Sequence, residues 1–150
     1  MYGYSAGNSP SPISCSSINF LDHPIISYGG GAQDKGIGVI SSGGSELEVS
    51  RNGWKAIYYP YEITENTVLE FEFASPVQGE EHVIGFNDNL SLSNFQRFKL
   101  YGTQNTTSNG HAIGDFENYN GSGNFQKFVI PIGEYYTGTH DYLYFASDDD

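Results

Sequence analysis

Hydrophobic and polar positions alternate most regularly near the middle of the chain, where Leu69, Phe71 and Phe73 interleave with Val68, Glu70 and Glu72. A period of two sends the apolar side chains to one face and the carboxylates to the other, as in a half-buried strand. Just upstream, Trp54, Ala56 and Tyr58 fall on one face and Lys55, Ile57 and Tyr59 on the other. The stretch 54–73 therefore reads as two strands joined by a tight connection, a hairpin with its turn at Glu65-Asn66. An apolar strand face needs a cover. No long helical period occurs in the chain, so the expected cover is a second sheet.

Shorter alternating or apolar runs predict further strands over Ile37–Ile40, Glu46–Ser50, Glu81–Phe86, Phe95–Tyr101, Phe125–Ile130 and Tyr142–Ala146. Ile18–Tyr28 is a strand region interrupted by Pro24, and Ala112–Tyr119 is a weaker one. Gly29–Gly31, Gly43-Gly44, Asn52-Gly53, Asn109-Gly110 and the run 120–123 supply turns. Asn94–Phe98 echoes Asn124–Phe128, so two strands present Phe, a basic residue and an apolar residue in one rhythm. Many short strands with Gly-rich turns predict an all-β fold, an antiparallel β-sandwich or jelly roll, with a strongly bent barrel as the alternative. Residues 1–17, rich in Ser with Pro10 and Pro12, read as a polar linker or N-terminal arm, and 18–150 as the sandwich domain.

Composition narrows the function. Six basic residues face 18 acidic ones, for a formal charge of −12. Nucleic acid and anionic membrane surfaces need a basic footprint and are not expected as partners. The balance suits a secreted or periplasmic protein, or a binder of neutral ligands or cations. Cys15 is the only cysteine and makes no intrachain disulfide. The sequence has neither an apolar run of about 18 residues nor a basic-then-apolar leader.

Candidate chemistry follows. Glu70 and Glu72 share a strand face, and a glycosidase needs two carboxylates about 5 Å apart or more. Such pairs are common on outer strand faces. His23, His82, His111 and His140 form no metal-binding helix motif, no nucleophile elbow frames a serine, and GGGAQD (29–34) lacks the Lys of a phosphate loop. The chain is therefore read as a non-enzyme. Calcium wants six to eight hard oxygens. Gln33 and Asp34 beside glycine carbonyls, with Asp148, Asp149 and Asp150, offer them if the first and last strands run side by side. Tyrosine-rich loops suit sugar stacking. The face of Glu70 and Glu72 is expected to carry Arg97, Lys99, Tyr101 and Lys127 as well, either as a polar binding face or as ordinary cross-strand pairing. Trp54 is expected in the core.

Together, GGGAQD, NGWKAIYYPYEITENTVLEFEF, GEEHVIGF, FKLYGTQ, VIPIGEYYTG and YLYFASDDD resemble the non-catalytic β-jelly-roll carbohydrate-binding modules of bacterial polysaccharide-degrading enzymes, over about Ile18–Asp150. The resemblance implies an extracellular module, covalently linked to a catalytic domain, that binds a polysaccharide or oligosaccharide. A neutral plant or algal β-glycan is favoured. It also implies a structural Ca²⁺ on the side of Gln33, Asp34 and Asp148–Asp150, and a further strand beyond that acidic end. Two sites stay open: a concave face with Arg97, Tyr101 and Glu72, and a rim with Tyr135, Tyr136 and Asp88. The rival functions are a small sandwich glycosidase or lyase using Glu70 and Glu72, and a structural or adhesion domain.

Overall fold

The computed structural model describes residues 2–6, 14–92, 96–108 and 110–149. The fold is all-β and antiparallel, a sandwich of a four-stranded and a five-stranded sheet with a small two-stranded ribbon alongside. In chain order the strands are β1 (Tyr2–Ala6), β2 (Ser14–Ser17), β3 (Ile26–Ser27), β4 (Ile37–Ile40), β5 (Leu47–Ser50), β6 (Gly53–Ile63), β7 (Thr67–Phe73), β8 (Glu81–Asn87), β9 (Arg97–Tyr101), β10 (Gln126–Ile130) and β11 (Gly138–Asp148). The sheet orders are β10-β7-β1-β2 and β3-β6-β11-β8-β9, and β4 pairs with β5. Within the stretch read as a polar arm, β1 pairs with β7 and β2 with β1. Phe95, the expected start of β9, lies outside the described residues.

The core forms where the alternation predicted it. Leu69 and Phe71 of β7 meet Ile57, Ile84, Phe98, Leu143 and Phe145 of the five-stranded sheet. Ala112–Tyr119 is not a strand; it touches β9 through one parallel bridge, Phe98 to Ile113. The expected hairpin at 54–73 is not formed, because β6 and β7 belong to opposite sheets. Ile63 and Leu69 both enter the core, and the chain arches over it between them. Thr67 Oγ1 accepts the Thr64 N–H at 2.9 Å and the Thr67 N–H donates to the Thr64 carbonyl at 3.0 Å, which fixes that arch. Local alternation is the same for a hairpin and for an arch, so sequence pattern alone does not separate them.

The five-stranded sheet is buried on both faces along β8, most of β9 and the second half of β11, whereas Tyr58 of β6 is exposed. Every residue of β8 is buried. Its second face carries a separate cluster of Tyr28, Trp54, Ala56, Val83, Tyr144 and Ala146. Tyr28, from the loop after β3, lies parallel to the Tyr144 ring at 4.1 Å between centroids. Its hydroxyl accepts from Asn87 Nδ2 at 2.8 Å.

Gly85 sits beneath that stack. A Cβ there would lie 2.5 Å from the Gln96 carbonyl oxygen and 3.1 Å from Tyr144 Cε1. Gly85→Ala is expected to destabilise the domain by about 1–3 kcal/mol. Gly43→Ala, where a Cβ meets nothing within 4 Å, should change stability by less than about 0.5 kcal/mol. Thermal unfolding of both variants checks the contrast.

Candidate functional site

The doubly covered sheet holds the protein's buried charges. Arg97 and Lys99 alternate with Phe98 and Leu100 on β9, so they face away from the main core and into the second cluster. Arg97 is 4% exposed, and its Nη2 reaches Glu81 Oε2 at 3.2 Å. Glu81 Oε1 also accepts from Thr106 Oγ1 at 2.7 Å. Lys99 pairs with Glu117 at 2.7 Å and donates to the Gln104 carbonyl. The guanidinium carbon of Arg97 lies 5.6 Å from the centre of the Trp54 ring.

A cavity of about 370 Å³ opens over this cluster. Trp54, Glu81, Arg97 and Asp148 line it from the strands, and Gln33, Lys35, Asn52, Leu92 and Gln104 from the surrounding loops. Among the described residues, Arg97 Nε and Nη1 and Trp54 Nε1 are buried without a hydrogen-bond partner. A buried donor left unmade costs about 1–3 kcal/mol, more when charged. Two cations, Lys35 and Arg97, face three carboxylates, Glu80, Glu81 and Asp148. The wall therefore offers donors and acceptors together with little net charge.

The residues expected at a concave face do not come together. Glu72 lies on β7 in the four-stranded sheet, next to the exposed Lys127–Glu70 pair at 2.8 Å, whereas Arg97 lies in the other sheet. Tyr101 leaves the Arg97 face because β9 carries one extra residue between the Val83–Lys99 and His82–Tyr101 pairs. Such a bulge reverses the alternation. Tyr101 consequently stacks on His82 at 6.0 Å and meets Tyr119 edge-on.

The rim residues are partly gathered, but as packing. Asp88 bonds His140 Nδ1 at 2.6 Å, and His140 meets the Tyr136 ring edge-on at 5.5 Å. The Tyr136 hydroxyl donates to the Gln96 carbonyl and accepts the Phe86 N–H, and burial pushes its phenol well above the usual value. Tyr135 packs against Phe98 and Phe116 and donates to Asp115 Oδ2 at 2.7 Å. Burial first, then that hydrogen bond and the charges of Asp115 and Glu134, push its phenol up to about 12. Both tyrosines are half-buried, with their hydroxyls engaged by Asp115 and by the Gln96 carbonyl.

The expected calcium ligands are divided. Gln33 and Asp148 line the cavity together, while Asp149 lines a different one and Asp150 lies outside the described residues. The Asp34 carboxylate is already saturated by Lys55 Nζ at 2.7 Å, the Trp54 and Gly36 N–H groups, and Ser27 Oγ. Among the described residues no group of three or more His, Cys, Asp or Glu converges to hold a metal ion. Glu81, Asn52 and Gln104 were not singled out from sequence. Asn52 reads as a turn and Glu81 as a strand start, and only the tertiary pairing puts them around Arg97.

No protein-family model matches this chain, and no curated protein or solved structure is significantly similar to it. The site therefore rests on its own geometry.

Burial works to raise the Asp34 pKa, but the hydrogen bonds from Lys55, Ser27, Trp54 and Gly36 outweigh it and hold the carboxyl below its ordinary value. A depressed carboxyl pKa contributes stability that is present above the unfolded value, about 3.9, and lost as pH falls through the folded one. Asp34→Asn should lower stability at neutral pH and flatten the acid limb below about pH 4. Urea unfolding at pH values on both sides of that limb measures this.

Proposed function

We propose that the domain is a secreted, non-catalytic polysaccharide-binding module that seats a neutral sugar unit in the cavity over Arg97 and Trp54. In this reading it holds a covalently attached glycan-degrading domain near its substrate. What supports it is the set of buried, unpartnered donors on Arg97 and Trp54 beside a cavity of about 370 Å³. A sugar hydroxyl both donates and accepts, so it can complete the Arg97 and Trp54 donors and use the Glu81, Asp148 and Gln104 side of the wall at once. The cavity size falls in the ordinary range for small-molecule sites, about 300–1,000 Å³. The β-sandwich is compatible with this role and with adhesion; the polar cavity favours the former. Among the described residues no helix is long and apolar enough to cross a membrane.

The test is affinity electrophoresis through glucans, xylans and mannans, with alginate as an anionic control, with Ca²⁺ and again with EDTA. Retardation by a neutral glycan is expected in both conditions. Gln33→Ala and Gln104→Ala should each weaken binding roughly five-fold, the worth of about 1 kcal/mol per hydrogen bond. Arg97→Met alone would strand Glu81 in the interior. The double variant Arg97→Met/Glu81→Met removes both charges and should fold but no longer bind. Glu70→Gln and Glu72→Gln should leave retardation unchanged. Hydrolysis lost in those two variants would make the protein an enzyme, and retardation by no glycan would leave the adhesion role.

A further inference from the structure

A second cavity, of about 400 Å³, opens between β5 and the chain leaving β7. Its lining differs in kind from the first. Residues 46–51 line one wall without a gap and residues 72–77 the other, with Leu100 and Phe145 between them. When successive residues of a strand all border a cavity, the cavity faces the strand's edge, not one of its faces.

The β4–β5 register gives that edge its chemistry. The Ser41 N–H donates to the Glu46 carbonyl at 3.0 Å, closing the turn of the ribbon. Counting down the ladder from there, Val39–Glu48 and Ile37–Ser50 are the hydrogen-bonded pairs. Leu47 and Val49 consequently direct their N–H and C=O groups away from β4. Among the described residues no strand pairs with β5 on that side. An unpaired strand edge is a template for one more strand.

The side chains around the edge are apolar and acidic. Leu47, Val49 and Phe73 are half-buried, and Val77 and Phe125 stand exposed at 48% and 54%. Glu46, Glu48, Glu72 and Asp149 line the same cavity against the single cation Arg51. We propose that this edge takes up an extended peptide segment of a protein partner, one that alternates apolar and basic side chains, as an added strand beside β5. Backbone pairing with Leu47 and Val49 supplies the register, and the carboxylates select lysine or arginine. A second copy of this chain is the wrong partner. Two β5 edges brought together would oppose their own Glu46 and Glu48 side chains, on chains that each carry −12. A glycan has no repeating amide donors and acceptors to match the edge.

The probe is a fluorescent peptide of about ten residues, a long strand, alternating lysine and valine, titrated onto the intact protein and read by anisotropy. Saturable binding that weakens with salt is expected. Methylating the backbone nitrogens along one edge of the peptide should abolish it, and a glutamate–valine peptide should not bind. Glu48→Lys with Glu72→Lys should weaken binding at least about ten-fold. Val49→Pro removes an outward N–H without touching the β4 ladder and should weaken it similarly, with circular dichroism confirming the fold. Equal binding of the methylated peptide, or no effect of the charge reversals, would overturn the proposal. So would sedimentation of the protein as a dimer that the peptide does not dissociate.

Discussion

The structure depends on a five-stranded sheet that must be covered twice. One face packs against β7 and β10, as in any sandwich, and among the described residues no sheet meets the other. Loops do the covering, and Tyr28 is the piece that makes this possible. Its ring lies flat on Tyr144 and its hydroxyl is taken by Asn87. Gly29 continues the seal by donating to the Leu90 carbonyl at 2.8 Å. Once that face is roofed, any charge on it is buried and needs a partner. Arg97 finds Glu81 and Lys99 finds Glu117. The cavity is the part of the face that the loops leave open, and this is why its walls are polar while the rest of the cluster is aromatic.

The parts of this arrangement that depend on local alternation are legible in the sequence. The faces of β6 and β7, the extent of β4, and the burial of Trp54 follow from period-two patterning. The parts that depend on which sheet a strand joins are not. The Phe-basic-apolar rhythm occurs twice, ending at Phe98 and at Phe128, and both phenylalanines are buried. Their basic neighbours have opposite fates. Arg97 is enclosed beneath loops, whereas Lys127 stands in solvent beside Glu70. Nothing in the two pentapeptides distinguishes them; the difference is made by the segment 102–119 folding over β9. Tyr101 shows the same limit on a smaller scale, since one extra residue in β9 carries it to the other face.

Asp34 illustrates how an acidic residue among glycines comes to look like a metal ligand. Glycines leave room for backbone groups to approach, and that room can be filled by a cation or by donors from the chain. Here Lys55 and two backbone N–H groups fill it, so Asp34 ties the loop after β3 to the start of β6. That tie holds the loop carrying Gln33 against Trp54. The residue thus shapes the cavity without facing it.

The same economy of cover explains why the two cavities differ. The outer edge of β9 is closed by its own chain: the Lys99 N–H donates to the Ile113 carbonyl at 3.0 Å and the Ile113 N–H to the Arg97 carbonyl at 2.8 Å. Closing that edge is what buries Arg97 and turns the adjoining space into a pocket of side-chain donors. Among the described residues no strand pairs with the outer edge of β5, so the space beside it is bordered by backbone groups. Charge then does what cover does elsewhere. Glu46 and Glu48 flank the open edge, and like charges on a strand oppose its pairing with a copy of itself. An edge guarded only by carboxylates repels an acidic strand but not a basic one.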